Sequence, residues 1–283
     1  MAHTFFPPKP LPESDLACER SPTSICGSDA IYHEREWEEL RLSALTLTEA
    51  GGRRVGKPCG RYLSIAFPPP VLWSQKTGKH ISDALAATLA FFLSPLPSRV
   101  LVAGLGNRRL TADTFGPLTA DGVTASAALP EALRGRGLLS PVSVSVCVPD
   151  VFPRTGIDSV RSVAATARLA EAEAVIVLDA LAAAERDRLL SVLEITDTGT
   201  VPGSGVKRGG SALCTATLGC PVLSCGLPTV IRADEEHFVV PRDLETGVAE
   251  IAGVVASGIN AIFSGEMPTL PFSIEMLFSK EES

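Results

Sequence analysis

Two aspartates stand where apolar, strand-like runs end: Asp113 in the loop after "RVLVAGLG" (residues 99–106) and Asp179 closing the apolar run of "AVIVLDA" (174–180). Two carboxylates that share a site cannot easily both ionise, so one keeps a proton while its partner accepts one. Such a pair divides acid and base roles between identical side chains. One member activates water and the other protonates a leaving amine, which is enough chemistry to hydrolyse a peptide bond without a serine or cysteine nucleophile. Either aspartate alone reads as a turn former or helix cap. Together, beyond the carboxyl ends of neighbouring strands where open α/β sheets gather their sites, Asp113 and Asp179 are a candidate catalytic dyad.

Other chemistry is less well supplied. Asp197-Thr198-Gly199 copies the DTG triplet of pepsin-like proteases, but that site needs a second copy, and the chain has no other DTG. In "EITDTGTVPGSG" (194–205), Asp197, Gly203 and Gly205 read instead as a loop bordering a substrate cleft. "GLGN" resembles the start of a dinucleotide-binding loop, yet the third glycine position is Arg109, so Gly104 and Gly106 are expected to make a tight turn. The four histidines are isolated, there is no HExxH and no GxSxG, and no metal or cofactor is expected.

These residues need a scaffold. The chain of 283 residues is 45% hydrophobic and 20% charged, enough for one sizeable core. A net charge of -7 argues against direct nucleic-acid binding. No secretory leader and no uncharged 18-residue apolar stretch is evident, so no membrane is expected and a cytoplasmic location is the default. The seven cysteines are scattered, without CxxC, and read as reduced thiols. Residues 1–30, rich in Pro and Ser, read as an extended leader outside the core. After it come a strand in "GRYLSIAFPPP" (60–70) stopped by three prolines, a helix capped at Ser82, the strand before Gly104, a helix near 116–129, a strand at 142–148, a helix at 158–172, and the strand carrying Asp179. Apolar runs at 190–196 and 221–227 and a helix at 243–263 follow. Near-continuous apolar strands alternating with helices imply a three-layer α/β/α sandwich with a mostly parallel sheet.

Taken together, "GKPCGRYLSIAFP", "VLVAGLGNRRLTADTFGP", "AVIVLDALAA", "ITDTGTVPGSGV", "TLGCPVLSCGLPTVI", "FVVPRD" and "GIN" resemble the germination protease family of spore-forming bacteria. The resemblance spans roughly residues 56–260. It implies an aspartic-type endopeptidase that degrades small acid-soluble spore proteins in the spore core during germination. It also implies catalytic roles for Asp113 and Asp179, a homotetramer, and a fold similar to the hydrogenase maturation endopeptidases. That family's third nickel ligand has no obvious histidine counterpart here, which favours metal-free chemistry. A nickel-dependent maturation-type endopeptidase and a non-catalytic paralogue are the alternatives. The family's Gly-Asn-basic run after "PGSGV" is replaced by the shorter "KRGG".

Substrates of the family are cut after an acidic residue, before an apolar one, commonly followed by Ala and, two positions on, Glu. "ESD-LACE" has that order, so the resemblance implies a propeptide, residues 1–15, cut between Asp15 and Leu16, ahead of a single catalytic domain of residues 16–283. The prolines at 7, 8, 10 and 12 keep this leader extended. Acid would trigger processing by changing the protonation of the dyad and weakening carboxylate contacts to the leader.

Overall fold

The computed structural model describes residues 14–19, 29–129, 142–203, 211–233, 237–265, 268 and 270–279. Among the described residues nine strands form one sheet: β1 (Ala30–Trp37), β2 (Leu40–Leu47), β3 (Gly60–Ala66), β4 (Arg99–Gly104), β5 (Ser143–Cys147), β6 (Ala174–Ala183), β7 (Val192–Thr196), β8 (Val222–Arg232) and β9 (Phe238–Val239). Their order is β1-β2-β3-β7-β8-β6-β4-β5, with β9 added to β8. The helices of more than one turn are α1 (Glu49–Val55), α2 (Thr77–Phe92), α3 (Phe115–Gly122), α4 (Ser159–Leu169) and α5 (Leu244–Ser264).

The central strands β4 and β6 are apolar throughout because both of their faces are covered. Val100, Val102, Ile176 and Leu178 pack into the main core with Leu85, Leu89, Phe115, Ile251 and Val255 from α2, α3 and α5. Their neighbours Leu101, Ala103, Val175 and Val177 point to the other face and meet Val160, Val163 and Ala167 of α4. The alternation of strand side chains thus builds the expected three layers. Helix α5 is long and apolar enough by length and composition to cross a bilayer, but its apolar face is the centre of this core.

The sheet is mixed, and here the expectation of a mostly parallel one is corrected. β4 pairs in parallel with β5 and β6, and β6 with β8, whereas β1·β2, β2·β3, β3·β7, β7·β8 and β8·β9 are antiparallel. Parallel pairing needs a crossover long enough to hold a helix. The two-residue turn between β1 and β2, where Glu38 takes φ 54°, allows only an antiparallel hairpin. β1 was hidden because "YHEREW" is polar, with Glu34, Arg35 and Glu36 exposed, whereas β2, "LRLSALTL", is mostly buried and has an apolar alternation. Helix α2 also starts before the expected Ser82 cap: Thr77 Oγ1 accepts the Ser74 N–H at 3.0 Å, and Ser82 lies inside the helix.

Helix α4 covers only the parallel half of the second face. Over the antiparallel half lies the segment 14–19 of the leader; residues 1–13 and 20–28 of it are outside the described residues. Leu16 is 2% exposed, packed with Ala183, Val192 and Ile231, and Ala17 is fully buried among Leu45, Leu47, Val55 and Tyr62. The reading of residues 1–30 as lying outside the core is therefore wrong for this stretch. The apolar pair was too short to register as periodicity, and its partners are strands distant in sequence.

Candidate functional site

The loop holding Asp113 is set by glycines. Gly106 takes φ 125°, a backbone conformation that disfavours other residues, and a Cβ there would lie 2.1 Å from the Asp113 carbonyl oxygen. The loop then folds back so that Asn107 N–H donates to Asp113 Oδ2 at 2.9 Å. Gly116, at the start of α3, sits where a Cβ would meet the backbone oxygens of Leu105 at 2.2 Å and Leu178 at 2.5 Å. This close approach, with the Leu105 N–H bonded to Leu178 O at 2.8 Å, brings the Asp113 turn against the strand that carries Asp179.

Asp179 is 8% exposed on the second face of the sheet. Burial pushes its carboxyl well above the usual range, and the neighbouring Asp113 and Asp15 carboxylates push it further in the same direction. Asp113 is raised less: burial and Asp150 raise it, and the Asn107 N–H opposes them. The two sequence-derived aspartates are thus electrostatically coupled and unequal, the pattern that separates acid from base.

Across the sheet, Asp179 is in register with Gly226 of β8, which is in register with Glu194 of β7. The leader runs over this row. Asp15 N–H donates to Ala182 O at 2.8 Å, while Asp15 Oδ2 accepts from Ala182 N–H at 2.9 Å. The Ala17 N–H donates to both oxygens of Glu194, at 3.0 and 2.8 Å. Glu19 accepts from the amides of Ala184 at 2.9 Å and Glu185 at 3.2 Å, and from the Ser14 hydroxyl. Lys57 Nζ donates to the Ser14 and Asp15 carbonyl oxygens at 3.0 and 2.6 Å. Of the two residues singled out as flanking a cleavage point, Asp15 is near enough to Asp179 to act on its carboxyl, and Leu16 packs against Ala183 of the same strand.

The DTG aspartate does different work. Asp197 Oδ1 accepts from Arg61 N–H and Oδ2 from Arg61 Nε, each at 2.8 Å, while the guanidinium lies over the rings of Phe91 and Phe92. It ties β3 to the end of β7. Because β7 runs antiparallel to β8, Asp197 falls toward the opposite end of the sheet from Asp179. Gly203 takes φ 76° in the following turn, and Gly205 lies outside the described residues.

Lys57, Asp150 and Glu194 were not singled out from the sequence. Glu194 had a signal, a single charge inside the apolar run "VLEIT"; Asp150 and Lys57 had none. Among the described residues, the one group of three metal-ligand types within 4.8 Å of each other is Glu38, Glu39 and His80, at the β1–β2 turn. Neither Asp113 nor Asp179 belongs to it.

Fold and site define an α/β/α protein with coupled acids beyond parallel strands and a segment of its own chain laid over them. The chain belongs to the germination protease family, whose model matches residues 15–236. It is 35% identical over 211 residues to a germination protease of Geobacillus, covering 72% of this chain and 56% of that protein. It is 32% identical over 235 residues to one of Priestia megaterium, covering 77% and 61%. The chain thus matches about six-tenths of the length of these relatives. Among solved structures, a NiFe hydrogenase maturation protease from Thermococcus kodakarensis overlaps 61% of this chain and 98% of its own, at 19% identity and a TM-score of 0.37.

Proposed function

We propose that this protein is an aspartic-type endopeptidase of the spore core that initiates degradation of small acid-soluble spore proteins during germination. It works as a homotetramer and is made as a zymogen that cuts its own leader between Asp15 and Leu16. The observation that carries this reading is the docking of "SDLACE" (14–19) on the strand of Asp179, with the Asp15 carboxylate near that of Asp179 and the backbone held by Ala182 and Glu194. The zymogen then carries a substrate-like segment in its own site.

The inequality of the two acids supports a division of roles. Asp179, whose buried carboxyl is raised the more strongly, holds the shared proton. Asp113, kept toward the ionised form by the Asn107 N–H, accepts a proton from water. The water oxygen bonds to the Asp15 carbonyl carbon, the C–N bond to Leu16 breaks, and the Asp179 proton goes to the Leu16 nitrogen. This route uses no metal and no covalent intermediate. It also gives acid a direct role: the Asp15 carboxylate raises Asp179, and lowering the pH fills the general acid with its proton.

The test is N-terminal sequencing after incubation at mildly acid pH. A new terminus at Leu16, absent in Asp113→Asn and Asp179→Asn, is expected, together with cleavage of an added small acid-soluble spore protein and a tetramer by light scattering. Cleavage at the same rate in Asp113→Asn rules out the dyad, and an intact leader in fully active protein rules out the zymogen.

A further inference from the structure

We propose that Lys57 is a catalytic residue of this cleavage, its ammonium holding the oxygen on which negative charge builds as water attacks. The inference rests on the reading of Asp15–Leu16 as the bond that is cut. Lys57 Nζ lies 2.6 Å from the Asp15 carbonyl oxygen, the acceptor that becomes the oxyanion, and 3.0 Å from the carbonyl of Ser14. Its stem is fixed in place. Helix α1 ends at Gly56 in the left-handed conformation, φ 68°, and the Lys57 N–H closes the turn on Gly52 O at 3.0 Å. The next residues enter β3, alongside the β7 strand that carries Glu194. Burial raises the Glu194 carboxyl, and Lys57 is close enough for its ammonium to oppose that rise; Glu194 in turn grips the Ala17 amide beyond the bond.

The chemistry requires such a group. A carboxylate dyad moves protons but brings no positive charge, and the tetrahedral intermediate would stand as an anion beside Asp113. As the water oxygen bonds to the Asp15 carbonyl carbon, the carbonyl electron pair moves to the oxygen that faces Lys57. On collapse the pair returns and the bond to Leu16 breaks, its nitrogen protonated by Asp179. Lys57 keeps its protons throughout. Its contact with Asp15 strengthens as charge develops, while its contact with Ser14 does not change, so the first lowers the barrier and the second only binds.

The experiment follows appearance of the Leu16 terminus by mass spectrometry in full-length wild type and in Lys57→Gln and Lys57→Arg, with amide exchange at Ala17 reporting whether the leader stays docked. Gln removes the charge, and its shorter side chain falls back from the Asp15 oxygen, so cleavage should slow about 100-fold, as loss of one oxyanion donor does. Arg, which keeps the charge, should recover cleavage to within about tenfold of wild type, with the Ala17 amide still protected in both variants. Cleavage by Lys57→Gln within about threefold of wild type overturns the inference, as does a loss that merely tracks undocking of the leader. A folded Lys57→Arg slowed about 100-fold with the leader still docked also overturns the role for charge, and decides the matter if the Gln variant does not fold. Failure of the wild type to produce the Leu16 terminus overturns the zymogen reading and this inference with it, and is seen before any variant is compared.

Discussion

Leu16→Ala should loosen the leader without disturbing the rest of the fold. The side chain is 2% exposed and closes a small apolar cluster with Ala183, Val192 and Ile231. Replacing it by Ala removes three buried carbons, and at about 0.8 kcal/mol for each the loss is roughly 2.4 kcal/mol. The segment can lift away rather than leave a cavity, so the transfer cost is the relevant one. A change of that size corresponds to a rise of about 50-fold in the undocked fraction of the leader. Native-state hydrogen exchange reads this directly. The Ala17 amide is held by Glu194, and those of Ala182 and Ala184 by Asp15 and Glu19, so all three should exchange faster by about that factor when opening limits exchange. Amides in the β4–β6 ladder, such as Val102 and Ile176, should keep their wild-type rates. If Ala17, Ala182 and Ala184 exchange as in the wild type, the leader is not held by this cluster. If the β4–β6 amides accelerate equally, Leu16 belongs to the global core and not to a separable segment.

Asp179→Asn should raise thermal stability at neutral pH and flatten its pH dependence. The folded carboxyl is raised above its ordinary value, so the native state binds more protons than the unfolded one between those two values, and wild-type stability falls as pH rises through that window. Melting curves across pH check it, and equal slopes in wild type and variant would refute it. Asp197→Asn should cost about 1 kcal/mol, because its half-exposed pair with Arg61 is screened, and should leave cleavage at Leu16 intact. A loss of cleavage in folded Asp197→Asn would instead make the DTG loop part of the chemistry. Gly116→Ala should destabilise strongly, by about 3 kcal/mol or more, since its Cβ would press on two backbone oxygens that cannot move aside. Chemical denaturation measures the loss, and a near-neutral effect would mean the Asp113 loop is not locked to β6.

What the sequence determined by itself is local. The unbroken apolar runs of β4 and β6 announced strands covered on both faces, and Asp158 before "SVRSVAATARL" marked the start of α4, where its Oδ1 accepts the Arg161 N–H at 3.1 Å. Position in such strands and in a glycine-set loop was enough to single out Asp113 and Asp179, and resemblance was enough to mark Asp15 and Leu16. Tertiary structure decided the rest. β1 is a strand because it pairs along its whole length with β2, which the polar "YHEREW" does not announce. Asp197 was marked by a motif, yet the antiparallel run of β7 turns it away from the dyad and onto Arg61. Glu194, 15 positions after Asp179 in the chain, is two strands from it in the sheet, and the register places it level with Asp179, under the Ala17 amide. Lys57 meets the Asp15 carbonyl from 42 positions away. Short-range pattern carries backbone conformation and burial, which neighbours along the chain decide. The meeting of a charge with a carbonyl across a sheet depends on strand order and register, which only the packed core selects.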